Sequence, residues 1–131
     1  MTEPYRETAP NKYVNYLRRA DGFFRAAKSS FDLRDLDIAV SSSVHCAISA
    51  ADALCVYKLR KRSASDSHMR SVELFAGLDA ECKEQSKRLS RLLSLKSAAE
   101  YSEDIITEKD AARAFQDAER FLHFVKSKLP T

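Results

Sequence analysis

"FDLRDLDIAVSSSVHCAISAADALCVYKLRKR", residues 31–62, carries two apolar stripes at helical spacing. Leu36, Val40, Ala47 and Leu54 lie on one side, and Val44, Ile48, Cys55 and Leu59 on another. A helix that is apolar on two sides must be covered on both, so this one is the centre of a bundle. Its many Ala and Ser residues let neighbouring helices approach closely. The stretch ends on four cations, Lys58, Arg60, Lys61 and Arg62.

The flanking segments supply the covering helices. In "NKYVNYLRRADGFFRAAKSS", residues 11–30, Tyr13, Leu17, Ala20, Phe24 and Ala27 form one apolar stripe. Residues 1–10, "MTEPYRETAP", have no period and are expected to be a flexible tail preceding a single domain over residues 11–131. After the cations, "SASDSHMRSVELFAGLDAE" opens on Ser and Asp caps and reaches Gly77, which predicts a short helix from about Ser67 to Ala76. "AECKEQSKRLSRLLSLKSAAEY", residues 80–101, turns Leu89, Leu92 and Leu93 inward. A last helix begins at Thr107, with Asp110 in the capping-box position, and runs through Ala111, Phe115, Ala118, Leu122, Val125 and Leu129 to Pro130. The expectation is an all-α, antiparallel up-down bundle of four long helices and one short one.

Composition agrees. No proline falls between Asn11 and Leu129 and the chain has two glycines, whereas a β-rich domain needs many turn residues, so strands are not expected. The 22 Lys plus Arg against 19 Asp plus Glu leave +3, too little to predict nucleic-acid binding without local clustering. Cys46, Cys55 and Cys82 form no CxxC, which suits a reduced, cytoplasmic setting. No uninterrupted apolar run approaches a membrane span, and no membrane association is expected.

The candidate chemistry lies at the end of the central helix. Cations there are favoured by the carbonyl end of the macrodipole, which accounts for Lys58 to Arg62 without any ligand. Arg62 and His68 are six residues apart, about 600° on a continuous helix, so they converge only where the chain breaks. The "SASDS" segment provides such a break. His68 would open the short helix, where the positive dipole end favours neutral imidazole, or would simply pack beside Val72.

Asp52, among small apolar neighbours, and Lys96, on the Leu89–Leu93 seam, are each expected to be paired, with each other or with another group, or else to open onto a cleft; Lys96 could also snorkel from the seam edge. Lys83, Lys87 and Arg91, with Arg88 beside them, could follow a phosphate backbone or form a solvated face with a Glu84–Arg88 ion pair. The three histidines and three cysteines make no HxxxH or CxxC, and no glycine loop cradles a nucleotide, so neither metal nor cofactor is expected.

Four segments taken in order, "AVSSSVHCAISAADAL" (39–54), "SHMRSVELF" (67–75), "LLSLKSAAEYS" (92–102) and "TEKDAARAFQDAERFLHFVKSKL" (107–129), resemble the small prokaryotic HEPN domains. That resemblance implies a bundle of four to five helices, commonly a two-fold dimer, often beside a minimal nucleotidyltransferase in toxin–antitoxin pairs. Active members are metal-independent endoribonucleases whose motif is Arg, four to six residues, then His. Arg62 and His68 satisfy that spacing. The resemblance thus implies RNA or nucleotide-phosphate recognition with Arg62 and His68 catalytic; the candidate binding residues beside them are Lys58, Arg60, Lys61, Arg70, Asp52 and Lys96. A non-catalytic dimeric module that holds a nucleotidyltransferase is the alternative.

Overall fold

The computed structural model describes residues 5–64, 68–101, 103 and 105–130. Five helices form the bundle: α1 (Tyr13–Asp32), α2 (Leu36–Leu59), α3 (Met69–Ala76), α4 (Ala80–Tyr101) and α5 (Glu108–Lys128). As its pattern requires, α2 is the centre and touches each of the other four. Val40, Val44, Cys46, Ala47, Ala51, Leu54 and Val56 point in different directions around it and all are fully buried. Its buried residues include Ala39, Ala50, Ala53, Ser43 and Ser49, whose small side chains let α1 and α5 approach closely.

By length and composition α2 could cross a membrane, with an 18-residue window of mean hydropathy 1.4, but 72% of that window is buried inside the bundle. The criterion of uninterrupted apolar runs does not register this average. The Ser, His and Asp residues that interrupt α2 do not lower its average enough, and packing against other helices is what its apolar surface is for.

The outer helices follow their stripes. Phe24 of α1 stacks on Phe115 of α5 with centroids 5.0 Å apart, and Phe75 of α3 meets Phe121 of α5 at 4.9 Å. Leu89 and Leu92 of α4 are buried beneath. Helix starts are chemically marked: Thr107 Oγ1 accepts from the Asp110 backbone N–H at 3.1 Å, and Asp79 Oδ1 accepts from that of Cys82 at 2.7 Å.

The expectation of a strand-free chain with a flexible start is corrected at one point. Tyr5–Glu7 (β1) pairs antiparallel with Lys61–Ser63 (β2), with Arg6 opposite Arg62 and Glu7 opposite Lys61. A short 3-10 turn, Pro10–Lys12, then leads into α1. Three-residue strands are too brief to show a period of two, and the pairing is made across the whole length of α1 and α2.

Candidate functional site

Arg62 and His68 do not share a continuous helix, because α2 ends before Arg62, earlier than the Ser-rich segment. Helix α2 stops because Arg60 adopts φ 59°, the left-handed region, where a side chain costs roughly 1–2 kcal/mol. Two hydrogen bonds hold it there: Arg60 N–H donates to the Val56 carbonyl at 2.9 Å, and its own carbonyl accepts from Thr8 N–H at 2.8 Å. The cationic cluster is therefore not one helix terminus. Lys58 belongs to the last turn of α2, Arg60 is its cap, and Lys61 and Arg62 belong to β2. Residues 65–67 of the expected "SASDS" break lie outside the described residues.

The ribbon directs Arg62 onto the helices. Its guanidinium lies 5.6 Å from the Tyr16 ring, and Arg19 lies 5.1 Å from the same ring. Arg62 Nη1 donates to the Ser63 carbonyl at 3.0 Å, but its buried Nε has no hydrogen-bond partner. Such an atom is left wanting an acceptor. Below it is Asp52, whose pKa burial pushes up to about 7, while Arg62 and then Arg19 oppose the shift. Opposite Arg62 in the ribbon stands Arg6, a like charge that disfavours the pairing unless an anion is shared. Lys61 instead places its ammonium 4.8 Å from the Tyr5 ring.

His68 comes to rest two turns further along the same helix face. It meets His45 of α2 edge to face, with centroids 6.4 Å apart, and His45 in turn lies 5.2 Å from Phe23 of α1. His45 and Asp52 are seven residues apart, about 700° of helix, which puts them on one side of α2 and about 10.5 Å apart along its axis. Arg62, whose charge acts on Asp52, and His68, which meets His45, are thus related to one side of α2 about two turns apart.

Both imidazoles are held below their ordinary pKa. For His68 the causes are burial and then Lys96, opposed by Glu100; for His45 they are burial, Lys96 and His68 itself, again opposed by Glu100. Neutral His68 was expected from the helix terminus, and burial with Lys96 is what produces it. Lys96 is the link. It is on the inner seam of α4, 16% exposed, and is paired with Glu100 at 2.6 Å. Lys96 is paired, with Glu100 rather than with Asp52: Lys96 stands by the histidines, whereas Asp52 feels Arg62 and Arg19.

The remaining candidates are peripheral to this strip. Arg70 pairs with Glu73 at 3.9 Å on the exposed side of α3. The α4 stripe is largely neutralised, with Lys87 on Glu84 at 3.0 Å and both Arg88 and Arg91 on Asp117 at 3.3 Å. Arg88 finds Asp117 rather than the expected Glu84. His45, Glu100, Tyr16 and Arg19 were missed by sequence reasoning, although the seven-residue spacing from His45 to Asp52 and the four-residue spacing from Lys96 to Glu100 were legible. Among the described residues no group of three His, Cys, Asp or Glu side chains converges on a metal position.

A helical bundle built around a central, largely buried α2 defines the class by its fold. A family model described as HEPN domain matches residues 13–128, and the chain belongs to that family. TT1696 from Thermus thermophilus has a similar crystal structure: TM-score 0.74 at 21% identity, covering 91% of this chain and 99% of that one. That likeness extends to the fold. No curated protein sequence matches the chain.

Proposed function

We propose that this HEPN protein binds single-stranded RNA by its phosphates along the α2 face and cleaves it without metal at Arg62 and His68. The observation that carries the reading is the partner-free, buried Nε of Arg62, held on the same helix face as an imidazole kept neutral. A guanidinium with spare donors suits a phosphate oxygen, and neutral imidazole suits a base. The 2′-hydroxyl would give its proton to His68 and attack the adjacent phosphorus as the P–O5′ bond breaks and the departing 5′-oxygen takes up a proton, while Arg62, reaching along the α2 face, would stabilise the charge growing on the phosphate oxygens. Lys58, Arg60 and Lys61 lie next in the chain to extend the contact to neighbouring phosphates.

The test is incubation of the purified protein with single-stranded RNA in excess chelator, beside Arg62→Ala and His68→Ala. Cleavage by the parent and loss in both variants supports the reading. Equal cleavage by all three identifies a contaminant and overturns it.

A second reading is a two-fold dimer that holds a minimal nucleotidyltransferase, as in toxin–antitoxin pairs. It is favoured by a groove of about 750 Å³ between α4 and α5, lined by Leu92, Leu95, Ala98 and Ala114 with Arg91, Arg113 and Asp117 at its rim. A protein that fails to cleave but forms a stoichiometric complex with such an enzyme, lost in Leu95→Asp, would support it. The three thiols are all free and buried, as suits a reducing, cytoplasmic setting.

A further inference from the structure

We infer that His45 is a second catalytic imidazole, the general acid that protonates the departing 5′-oxygen while His68 accepts the proton of the 2′-hydroxyl. The inference rests on the cleavage reading above and adds a residue to it. Its starting point is a chemical deficit. One imidazole cannot take a proton and give one in the same step, and Arg62 does not release protons at any ordinary pH. With His68 alone, a second subunit would have to bring another copy of the motif. The structure supplies a second imidazole within the same protomer.

The geometry is specific. His45 projects from the middle of α2, where its neighbours Val44 and Cys46 are fully buried, yet it is itself only half-buried. Its ring is braced by Phe23 of α1 at 5.2 Å and set edge to face against His68 at 6.4 Å. Each imidazole reaches an oxygen through a hydrogen bond of about 2.8 Å. Rings this close can therefore reach oxygens of one and the same phosphodiester. The ionisable groups acting on His45 are His68 from the segment before α3, and Lys96 and Glu100 from α4. A proton on His68 disfavours one on His45, and Lys96 disfavours a proton on either ring. One neutral and one protonated imidazole is the state the step requires.

The balance is closed. The 2′-O–P bond forms as the P–O5′ bond breaks; the 2′-hydroxyl proton goes to His68, and the proton on His45 goes to the 5′-oxygen. The products are a 2′,3′-cyclic phosphate and a free 5′-hydroxyl, with the proton now on the other ring. Exchange through solvent restores the starting state.

The test uses the full chain in chelator with two substrates: a short single-stranded RNA, and the same RNA with sulfur replacing the bridging 5′-oxygen at the cleaved bond. A 5′-thiolate departs without needing a proton. His45→Ala and His45→Asn should cleave the oxygen substrate about 10²-fold more slowly or worse, yet cleave the sulfur substrate within about 10-fold of the parent. His68→Ala should fail on both. The pH–rate profile of His45→Asn should lose its alkaline limb, since a general acid works only while protonated. Unchanged cleavage by the His45 variants would overturn the inference and leave the Arg62–His68 reading standing. Equal loss on both substrates would assign His45 to packing and overturn it too. A parent that cleaves neither substrate overturns the cleavage reading together with this one.

Discussion

Along α4 and α5 the cations meet carboxylates: Lys87 pairs with Glu84 at 3.0 Å, Arg88 and Arg91 share Asp117 at 3.3 Å, and Lys128 reaches Glu81 at 2.6 Å. At the ribbon end they lie over rings instead, Lys61 on Tyr5 and both Arg19 and Arg62 on Tyr16. The carboxylate among them, Asp52, is pushed up to about 7 and so is about half neutral at neutral pH. A cation already paired with a carboxylate must release it before binding phosphate, whereas one resting on an aromatic face keeps its charge available. Two stripes that look alike in sequence thus differ in what they can bind.

The largest contrast should come from the two arginines. Arg62→Ala is expected to lower single-turnover RNA cleavage by about 10²–10³-fold, and Arg91→Ala to leave it within about twofold. Comparable losses would erase the distinction between the surfaces.

Asp52 tests the same contrast through stability. Its carboxyl has a folded pKa raised from 3.8 to about 7, so the neutral form is favoured in the folded protein. A raised pKa contributes stability that is complete below the unfolded value and is lost as pH rises from about 4 through 7. Asp52→Asn keeps the neutral shape at every pH. In urea denaturation it should match the parent near pH 4 and exceed it by on the order of 2 kcal/mol at pH 8. A difference of the same size at both pH values would show that burial of Asp52 is not the cause.

The sequence disclosed the helices well and the site unevenly. Helix α5 was bounded by the Thr107–Asp110 cap and Pro130, and α4 by the run of residues 80–101, because caps and periods are local properties. The ribbon was invisible because its strands are three residues long and lie on either side of two long helices. The end of α2 was misplaced because the left-handed cap fell to Arg60, where glycine would be expected. Arg62 and His68 were singled out by the motif spacing that the HEPN resemblance implies, but the company each keeps could not be read from it. The meeting of His45, His68 and Lys96 depends on how α2, α3 and α4 pack, and Asp52 lies too far along α2 from that meeting to find Lys96.

The neutralised surface can also be turned into the other kind. Asp117→Asn removes the carboxylate shared by Arg88 and Arg91, leaving their charges free beside Lys87. It should lower stability by about 1 kcal/mol and add salt-sensitive RNA binding that persists in an Arg62→Ala background. If no such binding emerges, carboxylate pairing is not what silences the α4 stripe.

The smallest effect is in the salt dependence of RNA affinity, and it separates single lysines. Binding that neutralises phosphates releases counterions, so log affinity falls linearly with log salt, by about 0.7 per phosphate on single strands. Lys61 rests on Tyr5 in a ribbon whose other strand contributes Arg6, and each phosphate it holds adds one such increment. Lys87 is tied to Glu84, so the charge it offers to RNA is matched by one it must abandon. Titrations of a His68→Ala protein, which binds without cleaving, should therefore show the slope reduced by about 0.7 in Lys61→Ala and unchanged in Lys87→Ala. A lower slope in the Lys87 variant would mean that RNA crosses α4 after all, and the aromatic support of the ribbon cations would lose its significance for binding.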